Sequence, residues 1–96
     1  RSLLFTASWC GPCQPLKTRE FPAMRRTGWR ISERDDGHIQ IIDVGDDPDP
    51  GDGIEKLPTF IVVDANGREL ARHVGFLDSW GLKRLWDHAR QSGNDR

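Results

Sequence analysis

Apolar residues fall in short runs, separated by stretches rich in Gly, Pro and Asp. Ser2 to Ala7 (SLLFTA) is apolar and uncharged, which suits a buried strand. Ser8-Trp9-Cys10-Gly11-Pro12-Cys13 breaks that run. Pro12 stands where the first turn of a helix tolerates proline, because the missing N–H would have no partner there. The pattern predicts a helix from about Gly11, with Pro15 near its first turn. Leu16, Phe21 and Met24 are its expected core contacts, and Pro22 should end or kink it. Thr27 to His38 reads as a loop pinned by Trp29 and Ile31.

Ile39 to Val44 (IQIIDV) reads as a second strand, and Gly45 to Gly53 is a loop by composition. Its Asp spacing loosely resembles a calcium loop, but the pattern fails at Gly51 and Asp52 and no Glu closes it. Thr59 to Asp64 is a third strand. Asn66-Gly67 is a hairpin turn leading into Arg68 to Val74. Asp78 can cap a final helix whose apolar face is Leu82, Leu85, Trp86 and Ala89. Gln91 to Arg96 reads as a frayed tail. The order strand–helix–strand, loop, hairpin, helix implies a right-handed parallel crossover followed by an antiparallel pair. A four-stranded mixed sheet flanked by helices satisfies both, in one α/β domain spanning residues 1–96.

Composition fits a single soluble globular unit: 96 residues, 35% hydrophobic, with four Trp and four Phe. The longest apolar run, Phe60-Ile61-Val62-Val63, is far short of the ~20 residues of a membrane span. A net charge of −1 gives no electrostatic reason to expect a nucleic-acid partner. Charge is unevenly placed, however. Residues 35–55 carry eight acids and no Lys or Arg, which reads as a solvated loop.

Cysteine changes the picture most. Two Cys in so short a chain are too few for a disulfide scaffold, and a bridge between Cys10 and Cys13 closes too small a loop to add much stability. Chemistry is the better reason for them. Cys-x-x-Cys places two sulfurs within bonding reach across one helical turn. The strand-to-helix junction adds unpaired N–H groups and the positive end of the helix dipole, both of which favour a thiolate at Cys10. The same spacing can be half a zinc site, but the remaining candidates, His38, His73 and His88, are scattered and unpaired in sequence. No metal is expected, and each His reads as a surface or strand residue. Trp29, Trp80 and Trp86 read as packing residues.

Trp9-Cys10-Gly11-Pro12-Cys13 is identical to the active-site motif of thioredoxins, and the chain resembles that family over residues 2 to about 90. Leu57-Pro58-Thr59-Phe60 resembles the family's cis-proline segment. Val74-Gly75-Phe76 stands where the family has a Val-Gly pair lining the substrate groove. The resemblance implies that Cys10 is the nucleophile and Cys13 the resolving thiol. Trp9 would flank the disulfide, with Gly11 and Pro12 completing the active-site loop. Pro58 would be cis and face the sulfurs. The Leu57 backbone would pair with an extended substrate, and Val74, Gly75 and Phe76 would line the groove. Thiols so placed, thioredoxin's among them, titrate at about 3.5–7.5 against about 8.5 for a free Cys.

Three departures accompany the likeness. The family's first strand and helix are missing, which would leave the strand at 39–44 as an exposed edge. The family's buried Asp, six residues before the first Cys, is Leu4 here, and its Lys on the neighbouring strand is Ile41. A Pro/Gly/Asp loop replaces the helix before the cis-proline. The second departure leaves Cys13 without an evident base.

The implied function is a thiol–disulfide oxidoreductase that reduces protein disulfides through a Cys10/Cys13 cycle. Its redox group would be that disulfide, with no other cofactor. Its partners would be protein disulfides and an electron donor such as a reductase. The alternative is a binding module of the same fold in which redox turnover is incidental. Gly11-Pro12 favours a reductant over an oxidase, since periplasmic oxidases of this fold usually carry a His between the cysteines. The chain opens at Arg1 and reads as excised from a longer protein. The compartment is therefore open, with the cytoplasm slightly favoured and an anchored extracytoplasmic form as the alternative.

Overall fold

The structure, a computed structural model, describes residues 1–45 and 56–94, and only the backbone of residues 92–94. Past Gly45, the calcium-like loop lies outside the described residues; of the acidic stretch 35–55, read as a solvated loop, Ile39–Asp43 is strand. Five strands form one sheet: β1 (Ser2–Thr6), β2 (Ile31–Ser32), β3 (Ile39–Asp43), β4 (Thr59–Val63) and β5 (Glu69–Val74), in the order β2-β3-β1-β4-β5. β1 is central. It pairs parallel with β3 (Leu4 beside Ile41) and antiparallel with β4 (Leu4 beside Phe60). β4 and β5 are antiparallel across the Asn66-Gly67 turn, where Gly67 takes φ +82° and the Asp64 carboxylate accepts the N–H groups of Asn66 and Arg68, each at 2.9 Å.

The expected four strands become five because Ile31–Ser32 pairs parallel with Ile39–Gln40. The outer edge of β3 is therefore covered over those two residues, where the sequence led us to expect an open edge. Two residues leave no periodic signal, and long-range contacts decide the matter. Ile31 is buried, and the Arg30 carbonyl accepts from His38 N at 2.9 Å and Ile39 N at 3.2 Å. Gly37 permits the approach, since a Cβ there would lie 2.7 Å from both the Cβ and the carbonyl oxygen of Arg30.

From the end of β1 a continuous helical run leads from Gly11 to Arg26. It opens as a 3-10 turn (Gly11–Cys13), widens to π geometry (Leu16–Glu20) and finishes as α1 (Phe21–Arg26). Pro22 neither ends the run nor breaks it. Its ring sits in the first turn of α1, and the wide turn before it, closed by Phe21 N–H to the Leu16 carbonyl, takes up the missing donor. The second helix, α2, spans Ser79–Asn94 and so continues past Gln91, where the sequence reading began its frayed tail. Asp78 caps it, accepting from Gly81 N at 2.8 Å.

Both described helices pack on the same face of the sheet. Leu16, Phe21 and Met24 meet Leu82 of α2 over Leu4, Ile31, Ile39 and Phe60, all buried. Trp29 and Trp86 meet edge to face with ring centroids 5.4 Å apart, as the packing reading implied for these two. His38 lies 5.2 Å from Trp29 and accepts from Arg30 N at 2.9 Å, a structural setting. Trp80 departs from its expected packing role, being 67% exposed. On the opposite face Phe5, Ile61 and Val63 form a second cluster.

Glu20 ties the first helical run to the second. It is nearly buried and accepts from Arg19 Nε at 2.8 Å and from Ser79 N at 2.9 Å. The Arg19 hydrogen bond, then that from the Ser79 backbone, holds its carboxyl below the ordinary 4.5. A depressed carboxyl pKa contributes stability that is fully present above the unfolded value and is lost as pH falls through the folded one. Glu20→Gln should therefore cost about 1 kcal/mol at pH 7 and leave a shallower loss of stability below about pH 4.5. Urea midpoints measured at pH 7, 4 and 3 check this, and parallel curves for the two proteins would refute it.

Candidate active site

The end of β1 delivers the site. After Thr6 the chain turns through Ala7, Ser8 and Trp9, with Cys10 N donating to the Ala7 carbonyl at 3.2 Å. Cys10 then holds extended geometry (φ −82°, ψ 111°) immediately before the 3-10 turn, while Gly11, Pro12 and Cys13 are helical. Its sulfur thus sits at the N-terminal end of the helical run, where backbone partial charge favours an anion. Pro12 occupies the first positions of that turn, as its missing N–H allows.

Cys10 and Cys13 are joined in a disulfide with Cα atoms 5.3 Å apart. The two sulfurs differ in access: Cys10 keeps 4% of its surface and Cys13 none. The pair packs against Ala7, with Val44 from the end of β3 and Leu57 from the segment before β4 closing over it. The surroundings are therefore apolar. Leu4 lies in the core beneath, and Ile41 packs against the same cluster, so neither supplies a charge.

The remaining predicted groove residues gather at the same end of the sheet. The Leu57–Pro58 bond is cis and the Pro58 ring is fully buried. Pro58 is tied to the β5 end by its carbonyl, which accepts from Gly75 N at 2.8 Å. Gly75 takes φ +104°, a conformation that side chains resist, and its Cα faces open space. Val74 precedes it and pairs with Thr59, while Phe76 follows. Val74 is 50% and Phe76 38% exposed, two of the four exposed large apolar side chains among the described residues.

Trp9 is also exposed, at 59%, but it is not loose: its indole N–H donates to the Gly45 carbonyl at 2.6 Å. That bond ties the active-site loop to the chain leaving β3. Three features escaped the sequence reading. Gly45 offers only a backbone carbonyl, which no pattern marks. Trp80 follows the groove segment at the exposed start of α2. Thr6 is buried beneath the active-site turn, a position that alternation with Leu4 along β1 would have indicated. Among the described residues no group of His, Cys, Asp or Glu could hold a metal ion, and no helix is long and apolar enough to cross a membrane.

No family model and no curated protein matches the chain. Solved structures do. The periplasmic thioredoxin SoxS from Paracoccus pantotrophus, in its reduced form, aligns over 96% of this chain and 97% of its own with a TM-score of 0.65 at 21% identity. A protein from Chlorobium tepidum, provisionally described as thiol:disulfide interchange protein DsbE, aligns over 92% of this chain and 77% of its own with a TM-score of 0.56 at 25% identity. The chain therefore has the thioredoxin-like fold, with Cys10 and Cys13 closed into a Cys-x-x-Cys disulfide where β1 enters its helix.

Proposed function

We propose that the chain is a thiol–disulfide oxidoreductase that reduces protein disulfides. The observation that carries this reading is the disulfide itself, set at a strand-to-helix junction with Cys10 4% exposed and Cys13 fully buried. A pure binding module has no need of either sulfur. In the reduced protein the Cys10 thiolate attacks a substrate disulfide. One substrate sulfur leaves with its electron pair and takes a proton, and the other stays bound to Cys10. Cys13 then attacks Cys10, releasing the second substrate thiol and restoring the Cys10–Cys13 bond. The two electrons come from the pair of cysteines, so the cycle needs an external donor, such as a reductase, and no further cofactor.

The groove reading assigns the exposed apolar rim, Trp9, Val74 and Phe76, to substrate contact. The Leu57 backbone beside the cis bond offers hydrogen bonds to an extended segment. Gly75 lets that segment approach closely. The neighbours' names agree with exchange chemistry of this kind. Gly11-Pro12 between the sulfurs supports the reducing direction.

Cys13→Ser should trap a mixed disulfide with insulin through Cys10, and Cys10→Ser should trap none. Faster alkylation of Cys13 than of Cys10 in the reduced protein would reverse the roles. The wild-type couple, titrated against dithiothreitol, should have a midpoint more negative than about −180 mV, the value of protein disulfide isomerase. A more positive midpoint removes the reductase reading.

The groove has its own test. Val74→Ser together with Phe76→Ser should raise KM for insulin several-fold and leave the exchange rate with glutathione disulfide unchanged. Equal effects on both would deny the rim a part in recognition.

A further inference from the structure

Among the described residues, the Thr6 hydroxyl is the buried side-chain polar atom that has no hydrogen-bond partner. A fold carries such a group at a cost, because the hydroxyl has given up water without replacement. Its position offers a reason.

Leu4 and Thr6 lie on the same face of β1, since side chains alternate along a strand. On that face Leu4 packs with Leu16 and with Phe60. The helical run returns antiparallel to β1 after the junction. Stepping from Leu16 back to Cys13 therefore moves the same way as stepping from Leu4 up to Thr6. The steps are similar in length, about 4.5 Å for three helical residues and about 6.6 Å for two strand residues. On the other side the register of Leu4 with Phe60 and Phe5 with Thr59, continued by one pair, sets Thr6 opposite Pro58. Thr6, Cys13 and Pro58 are all fully buried. By this register they fall in one layer above the Leu4–Leu16–Phe60 layer, with the hydroxyl not bonded to the disulfide sulfur.

We propose that Thr6 Oγ1 donates a hydrogen bond to the Cys13 sulfur when the disulfide opens, and so sets the pH range in which Cys13 resolves the mixed disulfide. This rests on the exchange reading above. In the disulfide the Cys13 sulfur carries no charge, and the hydroxyl is unpaired. In the mixed disulfide Cys13 is free and must become a thiolate amid apolar neighbours, which raises its pKa. A hydrogen bond to the charged form opposes that rise. Thr6 keeps its own proton throughout. The Cys13 proton ends on the departing substrate thiol, and one sulfur–sulfur bond breaks as another forms.

Other charged groups stand on the elements around this layer. Asp43 is beside Thr6 in the parallel register, exposed, and accepts Gly45 N–H at 2.7 Å. Glu20, two turns beyond Cys13, is committed to Arg19 and Ser79. Lys17 is on the same helical run. His73 pairs with Phe60 on β5, Lys56 precedes the cis bond, and Asp78 caps α2. Asp43 is the alternative that the test must separate.

The reduced protein is mixed with Ellman's aromatic disulfide in a stopped-flow instrument from pH 6 to 9. The first release of the aromatic thiol reports attack by Cys10, and the second reports resolution by Cys13. Thr6→Val should leave the first release unchanged and slow the second about tenfold at neutral pH, a displacement of roughly one pH unit in its profile. Thr6→Ser should restore it to within about twofold of wild type, and Asp43→Asn should leave it in place. The oxidised Thr6→Val protein should be at least as stable to urea as wild type, because a methyl replaces an unpaired hydroxyl. Superimposable second-release profiles for wild type and Thr6→Val overturn the proposal. So does an Asp43→Asn shift equal to that expected of Thr6→Val, equal slowing of both releases, or a less stable oxidised variant. Absence of the first release in wild type would instead overturn the exchange reading, and this proposal with it.

Discussion

The packing of β1 against the helical run that leaves it is the contact on which the rest depends. Leu4 reaches Leu16 across the layer and Phe60 across the sheet, and all three are fully buried. Burying each such side chain is worth about 1.5–3 kcal/mol. More important is what the contact fixes. With Leu16 held over Leu4, the first turn of the helix cannot rise or slide, and Cys13 is set over the end of β1. Cys10, three residues earlier, keeps 4% of its surface where Cys13 keeps none. The difference in access between the sulfurs is thus a consequence of core packing one layer below.

Proline and backbone hydrogen bonds finish what that contact begins. Pro12 restricts the turn between the cysteines without forfeiting a hydrogen bond. Pro22 would disrupt a regular helix, and the wide turn at Leu16–Glu20 absorbs it. That turn also brings Glu20 to the start of α2, where it accepts from Ser79. On the far side of the site, Pro58 and Gly75 are bound to one another through the backbone, and Trp9 is bound to Gly45. The groove walls therefore come from distant parts of the chain but are each anchored beside β1.

Much of this was legible in the sequence, for identifiable reasons. Cys10 and Cys13 announce themselves by spacing. β1, β3 and β4 show largely apolar stretches of strand length, β5 follows from the Asn66-Gly67 hairpin turn, and Asp78 carries cap chemistry. What was not legible depends on contacts distant in sequence. Ile31–Ser32 is a strand only because Ile39 lies alongside it, and Gly37 allows that approach. Nothing in the local sequence marks Glu20, because the second of its partners, Ser79 N, is fifty-nine residues away. Trp80 satisfies the general rule that Trp is a packing residue until its exposure is seen. The π geometry before Pro22 arises from one missing donor, which predicts an irregularity but not its kind.

The apolar setting of Cys13 bears on direction as well as rate. Ala7, Val44 and Leu57 surround the disulfide, Leu4 lies in the layer beneath, and none can solvate a charge. Such surroundings suit a neutral disulfide and penalise the thiolate form of Cys13. Cys10 is nearly as buried, but it stands at the N-terminal end of the helical run, where backbone partial charge offsets part of the penalty. A free energy that favours the oxidised protein drives electrons out of the reduced one, since the couple gives up its pair most readily when its disulfide is the stable product. In the proposed cycle, an environment that slows the resolving step would therefore also add to its driving force. A single weak donor at the Cys13 layer is a way to recover rate while leaving most of that bias in place, whereas a buried carboxylate would change both the charge and the solvation of the site.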